Sequence, residues 1–431
     1  MFPTARLRTI WEIVSDSLWF IPVLMAVVAV GFAIGLVELD ARIGSIPEGA
    51  RFLFRVNVDG ARSIVSAIAG STITVVGTIF SITMVVLALA SNQYTSRVLR
   101  NFTSDRANQI VLGIFIGTFT YSLLVLRTIG TGGFVPVISV TFGILLALSS
   151  MGALIYFIGH TAHSIQASQI VARAADRTTP LIDSLFPDDA GEPAAGAALP
   201  TGASEMVRAP RAGYVQLLDG GGVMKCASEN DIVVRMERPI GDFVAKGASL
   251  ASIFPAGRAN EKLCREVESF FAIGEIRTVQ QDVHFGFSQI SDIAVKALSP
   301  GINDPTTALI CIDHLGALLM RMAERDDPVP LRADSSGKLR LVAKCSDFDA
   351  LLLDAFGQIR RYGKGDVEVV LRLLAVLTEL AGVVKGEGRR GAIQREGAAI
   401  ADDTREAVVA AADRERVDEA LARLGEALAK R

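Results

Sequence analysis

The chain has 431 residues, half of them hydrophobic, with 43 Lys and Arg against 46 Asp and Glu for a net charge of −3. So even a balance excludes a generally basic nucleic-acid binder, and so apolar a composition excludes a disordered chain. Its four cysteines, Cys226, Cys264, Cys311 and Cys345, include no CxxC pair, which excludes a disulfide framework or a zinc knuckle.

Charge is unevenly spread. Residues 1–165 hold ten Arg, no Lys and seven acids. Uncharged runs of 21, 34, 20 and 45 residues separate Asp16 from Glu38, Arg62 from Arg97, Arg106 from Arg127 and Arg127 from Arg173. A helix crosses a bilayer with about 20 apolar residues. The pattern predicts four membrane spans, near 18–38, 63–91, 108–127 and 134–159. The first run is too long for a signal-peptide core, and no small-residue cleavage site leads into a secreted-type domain, so it is expected to be a retained helix. With the N-terminus inside, Arg6, Arg8, Arg97, Arg100, Arg106, Arg173 and Arg177 face the cytoplasm and Arg42, Arg51, Arg55, Arg62 and Arg127 face out. That excess, with four unpaired cysteines beyond the last span, predicts that both termini are cytoplasmic. The Asn101-Phe102-Thr103 sequon then lies inside. No span carries an acid, Lys or Arg near its centre, which argues against an ion-coupled carrier and a voltage sensor.

The second span is the most informative. Ser63, Ser66, Gly70, Thr74, Gly77 and Ser81 recur every three or four residues, which places them on one helix face. Val85, Ala88 and Asn92 continue that face. Two readings follow. Small residues let helices pack closely in lipid. Alternatively the hydroxyl-lined stretch borders a pore that narrows to a dry ring at Val85, with Asn92, Gln93, Arg97 and Arg100 at its cytoplasmic mouth. The two coincide if the helix packs round a symmetry axis. A non-conducting scaffold, in which the stripe serves packing within one subunit, predicts that Gly70 and Gly77 are buried against its other spans. After the fourth span, His160 and His163 read as a polar interfacial face rather than a metal site, since no third ligand is near in sequence.

Residues 187–204 are rich in Pro, Gly and Ala and read as a linker. A β pattern follows at 209–216, 231–237 and 249–254. The turn Gly241-Asp-Phe-Val-Ala-Lys-Gly247 before the last strand looks like the half-repeat of biotinyl- and lipoyl-like barrel-sandwich domains, with Gly241 and Gly247 closing tight turns. Lys225 lacks the symmetric surroundings of a modified lysine and is not assigned that role. Between 274 and 314 lies the densest polar cluster: Arg277, Gln280, Gln281, Asp282 and His284, which Asp292, Lys296, Asn303 and Asp304 can join. A helix from Phe287 to Leu298 is expected to stop at Pro300 and Gly301. Asp304 then caps a second helix with Pro305 in its first turn. An enzyme reading makes His284 a base oriented by Asp282 or Asp292 and requires a cavity with convergent carboxylates. No nucleophile, phosphate loop or metal set completes it, so capping and subunit contacts are the preferred reading. The match Gly386-Glu-Gly-Arg-Arg-Gly391 follows a helix rather than a strand and reads as a flexible joint.

The motifs Gly70-Ser-Thr-Ile-Thr-Val-Val-Gly-Thr-Ile-Phe-Ser-Ile-Thr83, Leu89-Ala-Ser-Asn-Gln93, Arg106-Ala-Asn-Gln-Ile-Val-Leu-Gly113, Arg277-Thr-Val-Gln-Gln-Asp282 and Ala297-Leu-Ser-Pro-Gly-Ile-Asn-Asp-Pro305 resemble the bacterial membrane proteins grouped as domain of unknown function 2254. The resemblance spans about residues 15–385. It implies an inner-membrane protein with a cytoplasmic C-terminal domain and supplies no catalytic residues.

Residues 366–384 form an amphipathic pattern, and Val417, Leu421, Leu424 and Leu428 give a short heptad-like seam in a helix expected over 404–428. The expected fold is thus an α-helical membrane protein with four transmembrane helices plus a cytoplasmic α+β region. Its parts are 1–165 in the membrane, a stalk and linker at 166–206, a β module at 207–256, a helical domain at 257–385 and a C-terminal helix at 386–431. The expected function is a channel-like homo-oligomer in contact with lipid, passing an ion or small solute. The alternative is a non-conducting membrane-anchored sensor or scaffold. No enzymatic role, cofactor, metal or nucleic-acid partner is expected.

Overall fold

In the computed structural model, residues 17, 19–43, 57–93, 105–130, 134–186 and 199–430 are described, with the side chains of 90–93 excepted. The sequon, Arg97, Arg100 and residues 187–198 of the linker lie outside them. The chain divides between Gln166 and Ala167 into two compact units.

The first unit is helical: α1 (Phe20–Ile43), α2 (Val58–Gln93), α3 (Arg106–Thr128) and α4 (Val137–Ser164). All four are long and apolar enough to cross a membrane, as is one helix of the second unit, Pro305–Ala323. Helix α3 is the hub and packs on the other three. Gly113 and Gly117, one turn apart, let α1 approach: a side chain on Gly113 would overlap Met25, and one on Gly117 would meet the Met25 carbonyl at 3.6 Å. Close approach through small residues is how helices associate where lipid is as apolar as the interface. The ends are tied by polar bonds. Helix α4 has as its N-cap Pro136, which has no capping side chain. Its first amides, from Ile138 and Ser139, instead donate to the Asp40 carboxylate of α1 at 2.9 Å each, and Ser139 Oγ donates to it at 2.7 Å. A carboxylate at a helix start satisfies donors that have no partner within the helix. Arg62 closes the other junction by donating to the Ile129 carbonyl at 3.1 Å.

The second unit begins with α5 (Ala167–Leu185) and then a β region. Strands β1 (Glu205–Arg208), β2 (Gly213–Leu218), β3 (Val233–Met236), β4 (Phe243–Val244) and β5 (Ser249–Phe254) are interleaved with α6 (Gly220–Glu229). After α7 (Glu261–Ser269) come β6 (Phe271–Gly274), α8 (Val283–Ala297), α9 (Pro305–Ala323), β7 (Leu331–Ala333) and β8 (Leu339–Val342). One sheet has the order β1-β5-β3-β8-β7, with β3 and β8 parallel; the other is β4-β2-β6. Gly241 and Gly247 take positive φ, +93° and +80°, as their turns require. The β region is not a contiguous block ending at residue 256, because β6, β7 and β8 enter it from 271–342. Lys225 sits on α6 beside Glu229 rather than at a hairpin tip.

The rest is helical: α10 (Phe348–Gly363), α11 (Val367–Val383), α12 (Glu387–Ala407) and α13 (Ala411–Ala429). Helix α9 is wrapped by α5, α8, α10 and α11. The stretch read as a joint at 385–391 is largely the first turn of α12. Two Arg residues in a first turn oppose the helix dipole. The buried Arg389, however, reaches back to the end of α9 and donates to the Ala323 and Arg325 carbonyls (3.2 and 2.9 Å) and to Asp327 (2.7 Å). That contact turns a Gly- and Arg-rich break into a helix start. The helix expected over 404–428 instead begins at Ala411, and its Val417 and Leu424 are buried where α13 packs on α11 and α12.

Candidate functional site

The membrane unit offers a surface. In α2, Ala61, Val65, Ile68, Ala69, Thr72, Ile79 and Val86 are buried. Ser63, Ser66, Gly70, Thr74, Gly77, Ser81, Val85 and Ala88 are all exposed. At 3.6 residues per turn the two sets lie on opposite sides of the helix. Nothing lies within 4 Å of where side chains on Gly70 and Gly77 would stand. The condition for packing within one subunit is therefore not met, and the close-packing glycines of this unit are Gly113 and Gly117. The hydroxyls are held along the helix: Thr74 Oγ1 donates to the Gly70 carbonyl at 2.9 Å and Thr78 Oγ1 to that of Thr74 at 3.2 Å. Val85 is 58% exposed. Asn92 falls in the last turn of α2, with its side chain outside the described residues. Of the two histidines, His160 bonds Asp105, the N-cap of α3, at 2.9 Å and stacks on Tyr156.

The second unit offers a cavity of about 770 Å³. The polar cluster read from sequence divides around it. Arg277, Gln281, Asp282 and His284 line the cavity. Asn303 and Asp304 sit at the other end of α8, about 22 Å away for a 15-residue helix. There Asn303 takes a positive φ of +50°, and Asp304 caps α9 by accepting from the Thr307 amide at 3.1 Å. The capping role read for Asp304 is therefore its observed role, and these two residues are no part of the cavity.

At the cavity, Asp282 is almost fully buried. It holds Arg277 through two bonds of 2.8 and 2.9 Å and caps α8 by accepting from the Phe285 amide at 2.9 Å. The Arg277 guanidinium also lies over the Phe285 ring, 5.3 Å from its centroid. Gly241 turns against this pair so closely that a Cβ there would overlap Asp282. Gln281 bonds both backbone groups of Leu218 at the end of β2, at 2.9 and 3.2 Å. His284 Nδ1 meets Asp354 of α10 at 2.6 Å. Its carboxylate partner is thus neither Asp282 nor Asp292, and no spacing signalled a residue 70 positions away. Asp242, Asp282 and Asp354 all line the cavity with His284, so the convergence of carboxylates that a general base needs is present. A nucleophile in hydrogen-bond contact is not: among the described residues, the His284 ring bonds Asp354 alone. Cys345 also lines the cavity, and burial pushes its thiol above the usual range, which disfavours the reactive thiolate. Among the described residues no three His, Cys, Asp or Glu side chains gather as metal ligands.

Several apolar, membrane-length helices joined to a smaller α/β region define a mostly helical membrane protein. The chain belongs to the family described as predicted membrane protein, domain of unknown function 2254, whose model matches residues 15–379. It is similar to uncharacterized proteins of Mycobacterium bovis and Mycobacterium tuberculosis. Each is 32% identical over 428 residues, covering 96% of this chain and 80% of the relative. No solved structure matches it.

Proposed function

We propose that this chain is a four-span inner-membrane protein, with both termini in the cytoplasm, that assembles as a homo-oligomer through α2 and forms a channel-like path for an ion or small solute. The four spans are α1 to α4. Helix α9, although long and apolar, is enclosed by α5, α8, α10 and α11 and serves as the core of the cytoplasmic domain. The observation that carries the reading is the placement of the α2 stripe. Small and hydroxyl residues face away from the subunit, where a lipid-facing helix needs bulky apolar ones. A second copy, or water held between copies, suits that face. Val85 supplies a dry ring in such a path. At 36 residues and ~1.5 Å per residue, α2 extends well past a bilayer core of ~30 Å, so the path continues beyond the membrane.

The test is current from the purified protein in planar bilayers, wild type beside Val85→Ser. Discrete openings whose conductance or open time rises in the variant support the reading. Silence from both, under tension and across pH, overturns it. A second reading, a non-conducting membrane-anchored sensor or scaffold, is favoured by the cavity of the second unit, to which the end of α5 contributes Leu185 and Phe186. Neither reading assigns a reaction to His284.

A further inference from the structure

Helix α12 is fixed to α10 by one shared cation. Arg360 of α10 donates from Nε to Glu396 at 3.0 Å and from Nη1 to Asp403 and to the Ala399 carbonyl, all on α12. Glu396 and Asp403 stand two helical turns apart and so share the inner face of α12. Ile393 and Ile400, one turn to either side of Glu396, are fully buried. The three charged side chains are unequally wet: 8% exposed for Glu396, 14% for Arg360 and 28% for Asp403.

One guanidinium balances one carboxylate, which leaves a surplus negative charge in a site largely closed to water. A second carboxylate nearby and poor hydration both favour uptake of a proton. The proton belongs on Glu396, because Asp403 keeps more of its hydration. Burial pushes the Glu396 carboxyl above its ordinary value, and Asp403 adds to the rise against the opposing pull of Arg360 and Arg361 of α10. Arg395, beside Glu396 in sequence, is turned instead to Asp349 of α10 in an exposed pair at 2.6 Å. Helices α11 and α13 also pack on α12, and their charges act on Glu396 less than these do. We propose that Arg360, Glu396 and Asp403 form a proton-operated latch, which grips α12 against α10 more firmly in mild acid and loosens as pH rises. A carboxyl that holds its proton more tightly in the folded chain contributes stability that is fully present below its unfolded value of about 4 and is lost as pH rises through the folded value. The latch lies in the second unit and does not depend on whether α2 conducts.

The test is amide hydrogen exchange of the full chain in detergent at about pH 5 and about pH 8, with each rate divided by that of the unstructured peptide at the same pH. Both conditions lie above the range in which the Asp231 and Asp334 carboxyls titrate. In the wild type, protection of the α12 amides is expected to fall about threefold or more from the lower to the higher pH. Glu396→Gln removes that fall and keeps α12 protected at the higher pH. Asp403→Asn takes away the like charge and makes the fall smaller, whereas a purely structural contact would leave the pH dependence as it was. Equal protection at the two pH values in the wild type, a fall that persists in Glu396→Gln, or one undiminished in Asp403→Asn overturns the proposal.

Discussion

Replacing Asp282 by Ala tests the linchpin of the cavity wall. Its side chain is 1% exposed and that of Arg277 is 24% exposed. Removing one partner of a buried ion pair costs about 3–5 kcal/mol, and the partial exposure of Arg277 lets water recover some of it, which points to the lower end. Loss of the α8 N-cap adds about 1 kcal/mol, partly shared because Asp282 Oδ1 serves both Arg277 and the Phe285 amide. The expected loss is about 3–4 kcal/mol, or a fall in melting temperature of roughly 8 °C for a unit of this size. Asp282→Asn retains a capping oxygen and is expected to cost about half as much. Thermal unfolding of the detergent-solubilised chain by circular dichroism reads both. A cycle with Gly241→Ala sharpens the test. In the wild type that substitution meets both a positive-φ penalty and the Asp282 carboxylate; in the Asp282→Ala background only the backbone penalty remains. A fall below about 2 °C for Asp282→Ala, or strict additivity with Gly241→Ala, would refute the account of this wall.

Gly113→Leu is expected to destabilise the membrane unit by about 1–3 kcal/mol through overlap with Met25, seen as a lower melting temperature and loss of monodispersity. Gly70→Leu meets open space, so it leaves subunit stability unchanged and weakens self-association, as read by mass photometry in detergent. The β region has a definite acid response. Bonds from Arg258 and then Arg340 hold the Asp231 carboxyl well below the usual range, and bonds from Ser336 and Arg340 do the same for Asp334. A carboxyl depressed in the folded state contributes stability above its unfolded value of about 4, and that contribution is lost as pH falls from there toward the folded value. Amide exchange in β3 and β8 is therefore expected to accelerate below about pH 4. Arg340→Met is expected to flatten that dependence, and an unchanged acid profile in the variant would contradict the assignment.

Much of this protein was legible in its sequence, for reasons that differ by element. The four helices of the membrane unit follow from uncharged runs, because length and charge are what the pattern measures. The break at Ser299–Asp304 was readable because Pro, Gly and an Asp N-cap act within a few residues. What escaped depended on partners distant in sequence. Gly113 and Gly117 carry the same small-residue signal as the α2 stripe, yet only contact with Met25 shows which set packs inside the subunit. Asp354 meets His284 across 70 residues, and Arg389 turns the 385–391 stretch into a helix start by reaching carbonyls more than 60 residues away. The β region drew strands from 271–342 that no local turn motif connects to 205–254. The cavity was half visible: Arg277, Gln281, Asp282 and His284 stood out as a polar cluster. The lining groups that follow residue 328 did not, because only the pairing of β8 with β3 brings that stretch to the cavity.

The central claim is that the outward face of α2 meets its counterpart on another copy. Oxidative cross-linking of Thr74→Cys in native membranes tests it most directly, in a background with the four native cysteines replaced by serine. Thr74 is exposed at the middle of the stripe, whereas Thr72 is buried on the opposite face and serves as the control. The account predicts a disulfide-linked dimer for Thr74→Cys and none for Thr72→Cys. A monomer at both positions would contradict it and leave the stripe facing lipid.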